Sequence, residues 1–251
     1  MTKFVKRAAL VASAFCLGIL VVNMAAAKDK PKEDSDQTVD SGSFGMFNGG
    51  QRVASETFSI KQGATGSAIS SQFKSAQGEQ RAEQSSELEL TPSADLRSYD
   101  WKETAPGKGV ASVTPDGTFL VEHFGEGPEA KQNVQNFLLP PSTAILDDYA
   151  FVQREVLAWK YLAMACKHDQ GPPRCPLNQK MHFGALNPHE RSSLSVSVEF
   201  AGRDKITWHG AEHEFSHFVL SSESGDWSFW LDDDMKLVRL LSDGGVEVVR
   251  D

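Results

Sequence analysis

Cysteine is scarce in this chain, at three residues in 251, and basic side chains are in deficit, with 25 Lys and Arg against 34 Asp and Glu. The shortage of positive charge excludes nucleic-acid partners, because phosphate binding depends on clustered Lys and Arg that release counterions. The shortage of cysteine excludes a thiolate zinc module: Cys166 and Cys175 form one close pair, and no second pair completes a four-ligand site. No G-x-S-x-G elbow occurs, so a serine hydrolase triad has no support. Long apolar runs are missing after the first tenth of the chain, which leaves no segment for a membrane-spanning helix in the remainder.

What is present begins at the N-terminus. Lys3, Lys6 and Arg7 precede an apolar run of about 15 residues over 8–22, and Ala25-Ala26-Ala27 supplies a small-residue exit, the three parts of a secretory signal peptide. A spanning anchor needs about 20 apolar residues. Cys16 lies inside the run behind the bulky Phe15, which disfavours lipoprotein processing. The expectation is an exported, periplasmic or secreted protein, not integral to a membrane once residues 1–27 are removed. Their removal takes three positive charges and no negative one, deepening the formal charge from −9 to −12. It also leaves Cys166 and Cys175 as an even pair in an oxidising compartment, where a disulfide is expected.

Residues 28–43 are polar and charged, with Val39 the main apolar exception, and are expected to form a disordered tether. The body, 44–251, is expected to be a single β-rich domain. Its first half is a succession of short runs rich in β-branched and aromatic residues, at 44–47, 52–60, 68–74, 83–90, 96–103, 109–113, 118–124 and 136–139. Asn48-Gly49-Gly50 between two of them is a strong hairpin signal, and Pro115-Asp116-Gly117 marks a second turn. Residues 142–165 break the pattern. Ser142 suits an N-cap, and Ile145, Tyr149, Val152, Val156, Trp159 and Leu162 recur at helical spacing. Strand-like runs resume at 180–186, 193–200, 205–209, 213–221, 227–231, 236–241 and 246–250. The expected fold is mainly β: a large curved antiparallel sheet, a half-barrel of about ten strands, with one central helix on its concave face. Tyr149, Val152, Val156 and Trp159 form a bulky stripe that packs the core or lines an apolar ligand site.

His213-Glu214-Phe215-Ser216-His217 spells H-E-x-x-H, which on a helix sets two imidazoles toward one zinc ion with the glutamate as general base. Its surroundings are strand-like, Gly210 precedes it and Ser221-Ser222-Glu223-Ser224-Gly225 follows soon after, so little helix would remain. Leu220 and Glu223 stand where a metzincin carries glycine and histidine. On a strand, Glu214 would face away from both histidines. Asp232-Asp233-Asp234 lacks the spaced ligands of a calcium loop and reads as a solvated turn.

The order of the parts, from Phe44-Gly45-Met46-Phe47-Asn48-Gly49-Gly50 through Phe137-Leu138-Leu139-Pro140-Pro141 to Trp230-Leu231-Asp232-Asp233, resembles exported bacterial domains. These are similar in architecture to periplasmic lipoprotein carriers and glycolipid-binding half-barrels. The resemblance implies a concave sheet under a helical plug and a lipid or other apolar small molecule as ligand, with no cofactor. Two alternatives stand beside it: a zinc-dependent hydrolase on His213, Glu214 and His217, and a structural or assembly protein of the envelope.

Overall fold

Alternation of inward apolar and outward polar residues runs through most of the chain and builds strands. The computed structural model describes residues 36–75, 81–127, 129–167 and 173–251. In chain order the elements are β1 (Gln37–Asn48), β2 (Gln51–Gly63), β3 (Gly66–Ser75), β4 (Glu83–Leu90), β5 (Leu96–Ala105), β6 (Val110–Asp116), β7 (Phe119–Gly125), β8 (Asn133–Phe137), β9 (Ala144–Ile145) and α1 (Val152–Ala165). They continue with β10 (Met181–Asn187), β11 (Ser192–Trp208), β12 (Ala211–Ser222), β13 (Gly225–Leu231), β14 (Leu237–Ser242) and β15 (Val246–Arg250).

Among the described residues all fifteen strands belong to one sheet, ordered β8-β7-β6-β5-β4-β3-β2-β1-β15-β14-β13-β12-β11-β10-β9, and only the β9–β10 strand pair is parallel. Two meanders are thus sewn together where β1 meets β15, with Phe44 opposite Arg250 and Asn48 opposite Val246. Gly49 and Gly50 both take positive φ, as a two-residue turn between twisted strands requires. The second expected turn sits at Gly117-Thr118, while Pro115 lies within β6 opposite Leu120.

The count exceeds the ten or so strands expected. Short segments such as 133–137 and 144–145 pair at the ends of the sheet, and 193–200 joins 205–209 across a register shift at Gly202. Similar shifts in β1, β4 and β13 add local twist. A sheet of this width curls. Its two ends approach one another: Gln135 of β8 donates to the carbonyl of Arg191 beyond β10 at 3.3 Å, and the Arg191 guanidinium lies 4.7 Å from the Phe124 ring of β7. The result is a barrel-like body.

The concave face is filled by α1. Val152, Leu157, Ala158, Tyr161 and Leu162 share one core with Phe44, Ile60, Ile69, Val198, Phe218 and Leu240. Full burial of one such aliphatic or aromatic side chain is worth about 1.5–3 kcal/mol, so packing rather than propensity holds this 14-residue helix. The helix starts later than the expected residue 142. Ala144 and Ile145 instead pair with Ala185 and Leu186, and the Asp147 carboxylate accepts from the Tyr149 N–H at 2.9 Å, folding the chain before the first helical turn.

The expected tether also ends early. Residues 37–43 belong to β1, because the β2 ladder satisfies their backbone and Arg250 and Lys236 compensate the buried Asp40 carboxylate. The remainder of that segment and the signal peptide lie outside the described residues. Cys166 and Cys175 are joined by a disulfide just past the end of α1.

Candidate functional site

Two glutamates occupy inward-facing positions in strands, each between apolar neighbours: Glu56 between Ala54 and Phe58 in β2, and Glu122 between Leu120 and Phe124 in β7. Both are fully buried, and burial pushes both carboxyl groups up to about 7. Their surroundings differ. Glu56 accepts from the Phe151 N–H at 2.8 Å, the Val152 N–H at 3.3 Å and the Ser71 hydroxyl at 2.7 Å, so it caps a helix whose own N-cap, Phe151, has no side-chain acceptor. Glu122 has no hydrogen-bond partner among the described residues on either oxygen. The Arg191 charge pulls its pKa down and the Asp147 charge adds to the upward effect of burial.

Glu122 forms part of a cleft of about 930 Å³ between β5, β6 and β7 and the turn that follows β10. Trp101, Val110, Ala111 and Phe124 supply the apolar wall. Trp101 is fixed by its Nε1–H, which donates to Gln84 at 2.7 Å. The turn contributes His189 and Arg191. It is folded by Asn187, whose Oδ1 accepts from the N–H groups of His189 and Glu190 at 3.1 and 3.2 Å, while its amide donates to Asp148 at 2.9 Å. The His189 ring packs edge-on against Trp101 and Tyr149 at 4.8 and 4.7 Å, and its Nδ1 is buried without a partner among the described residues. Glu103, Lys108, Glu126 and Lys131 also line the cleft and mix both signs of charge there. The arrangement offers apolar aromatic surface beside two unsatisfied polar groups, the composition of a ligand pocket.

The stripe expected to bind ligand is divided. Tyr149 precedes the helix and reaches this cleft's inner end through His189, with Phe73 on its other side at 4.9 Å. Val152 is wholly buried in the core. Val156 and Trp159 line a separate apolar crevice of about 200 Å³, and the Trp159 indole donates to the Met235 carbonyl at 2.6 Å. The sequence reading did not single out Glu122, His189 or Arg191. For Glu122 a signal existed, a carboxylate at the inward register of an alternating run.

The H-E-x-x-H string lies on β12. Four residues along a strand separate His213 from His217 by about 13 Å, which prevents both imidazoles from reaching one ion at about 2 Å. His217 stacks on Trp230 at 4.8 Å, and its Nδ1 is 2.8 Å from the Asp204 carboxylate. Burial lowers its pKa although Asp204 opposes this. His213 is exposed beside Phe215, and Glu214 pairs with Arg203 at 3.1 Å. Asp232 closes its turn by accepting from the N–H groups of Asp234 and Lys236.

Fold and cleft together define a helix-filled, barrel-like β domain with one large mixed-polarity cleft. No protein-family model matches the chain, and no curated protein matches it. Among solved structures it is similar to a β-barrel-like protein of a domain of unknown function, DUF1849, from Brucella abortus. That likeness covers 84% of this chain and 97% of the other at a TM-score of 0.54 and 7% sequence identity, and concerns the fold alone.

Proposed function

We propose that this protein is a non-enzymatic binding module of the cell envelope that holds an amphipathic small molecule in the cleft beside Glu122. The observation that carries this reading is the buried, unpartnered carboxylate of Glu122, a residue that lines a cleft of about 930 Å³ together with aromatic and aliphatic residues. A buried polar group without a partner is costly, and a ligand that supplies one gains what the free protein lacks. The apolar wall accommodates a chain or ring, in keeping with the lipid-type ligand expected from the resemblance to lipoprotein carriers and glycolipid-binding half-barrels. Placement in an exported compartment is supported by the tripartite N-terminal signal and by the disulfide.

A zinc hydrolase reading draws no support from β12, where the two histidines stand too far apart to share an ion. The test is mass spectrometry of organic extracts from protein purified out of its native host. A recurrent amphiphile at near one per chain, reduced in a variant whose cleft is filled, is the expected result. Repeated recovery without any such molecule would leave the structural or assembly reading ahead.

A further inference from the structure

We propose that Glu122 selects the occupant of the cleft by its amine: the ligand is an amphiphile whose primary ammonium group hydrogen-bonds to the Glu122 carboxylate while its apolar part lies along Trp101, Ala111 and Phe124. This rests on the reading of the cleft as an amphiphile site and adds the chemistry of the head group.

Comparison of the two buried glutamates carries the proposal. Glu56 has three donors and a structural task, so its burial is explained by the helix it caps. Glu122 has neither, although it is equally inaccessible. Arg191 is near enough to influence it, but the guanidinium is spent on the Phe124 ring at 4.7 Å and makes no hydrogen bond to the carboxylate. Above about pH 7, where the carboxyl is ionised, the missing partner is a donor, and a charged N–H donor forms the strongest hydrogen bond to a carboxylate. An anionic head group would worsen the burial of Glu122, and a hydrocarbon would leave it uncompensated. The Trp101 ring in the cleft wall favours a cation over an anion, whereas Phe124 already carries the Arg191 guanidinium. His189 Nδ1 belongs to the second unpartnered polar group of the same cleft.

Other charged and titratable groups line the cleft or act on Glu122. His189 and Arg191 come from the turn after β10, Asp147 from the segment before α1, and Glu103 from β5, while Lys108, Glu126 and Lys131 come from the connecting loops. Positive and negative groups among them are nearly balanced, so the local preference for a cation comes from Glu122 itself.

Isothermal titration with n-decylammonium and n-decanol, which share one chain, tests the proposal. At about pH 8 the wild-type protein is expected to bind the amine about tenfold or more tightly than the alcohol, and Glu122→Gln to bind both alike, with its decanol affinity retained. Glu223→Gln, on an exposed turn, should keep the preference and so exclude a general attraction of the acidic protein for cations. Because burial places Glu122 near 7, the wild-type preference should shrink when the titration is repeated at about pH 5.5. Equal affinity for amine and alcohol, or a preference that survives Glu122→Gln, would overturn the amine assignment and leave the amphiphile reading standing. Binding of neither compound would overturn both. Should the variant lose decanol as well, the wild-type pH comparison decides: an amine-to-alcohol ratio unchanged between the two pH values overturns the proposal.

Discussion

At the scale of single residues, a carboxylate held away from water without a partner is a liability to the free protein, and Glu122 is such a group. Its folded-state pKa is raised from 4.5 to about 7, so the folded state binds more protons than the unfolded chain between these values. The stability it contributes is full below about pH 4.5 and is lost as pH rises through about 7. Glu122→Gln removes that loss. Denaturant unfolding should find the variant more stable than wild type at about pH 8 by about 1–3 kcal/mol, with the difference vanishing near pH 4.5. A variant less stable at both pH values would mean that the carboxylate is satisfied from within. Glu122 was legible in principle, as a charge at the inward register between Leu120 and Phe124. His189 and Arg191 were not, because they reach β5 and β7 from a turn far along the chain, and no local pattern announces that approach.

Among the elements, α1 depends on side chains from the sheet for its termini and its charges. Glu56 of β2 receives its first N–H groups, and Glu155 accepts from the Leu237 N–H of β14 at 3.0 Å and from Arg250 of β15 at 3.3 Å. Arg154 donates to the carbonyls of Asp147 and Ala150. Glu56→Ala leaves the Phe151 and Val152 N–H groups and the Ser71 hydroxyl without their acceptor, and should cost about 2–4 kcal/mol in urea unfolding at neutral pH. A loss below about 1 kcal/mol would show that the helix is held by apolar packing alone. These moorings explain why the helix boundary was misplaced from sequence. Ile145 and Tyr149 fit helical spacing, but whether 142–151 coils or pairs is settled by β10 and by the Asp147 turn, both outside any local window. The polar start of β1 was hidden for the same reason, since its support comes from β2 and Arg250.

For the whole molecule, the alternating runs and the Asn48-Gly49-Gly50 turn made an antiparallel sheet legible, and the break at mid-chain marked the one helix among the described residues. The number of strands and the approach of the sheet's ends were not legible, because both depend on pairings between distant segments. The cleft lies where those ends meet, apart from the crevice that Val156 and Trp159 of the expected helix stripe line. Two filled variants separate the two locations. Ala111 is an inward residue with Trp101 and Phe124 as its cross-strand partners, so Ala111→Trp obstructs the large cleft. Ala163→Trp obstructs the crevice beside Val156 and Trp159 instead. The most direct measurement is fluorescence titration of both variants and wild type with the apolar dye N-phenyl-1-naphthylamine, with folding verified by circular dichroism. Saturable enhancement in wild type and in Ala163→Trp, abolished in Ala111→Trp, is the predicted result. Undiminished dye binding by a folded Ala111→Trp protein would contradict the assignment of the cleft beside Glu122 as the binding site.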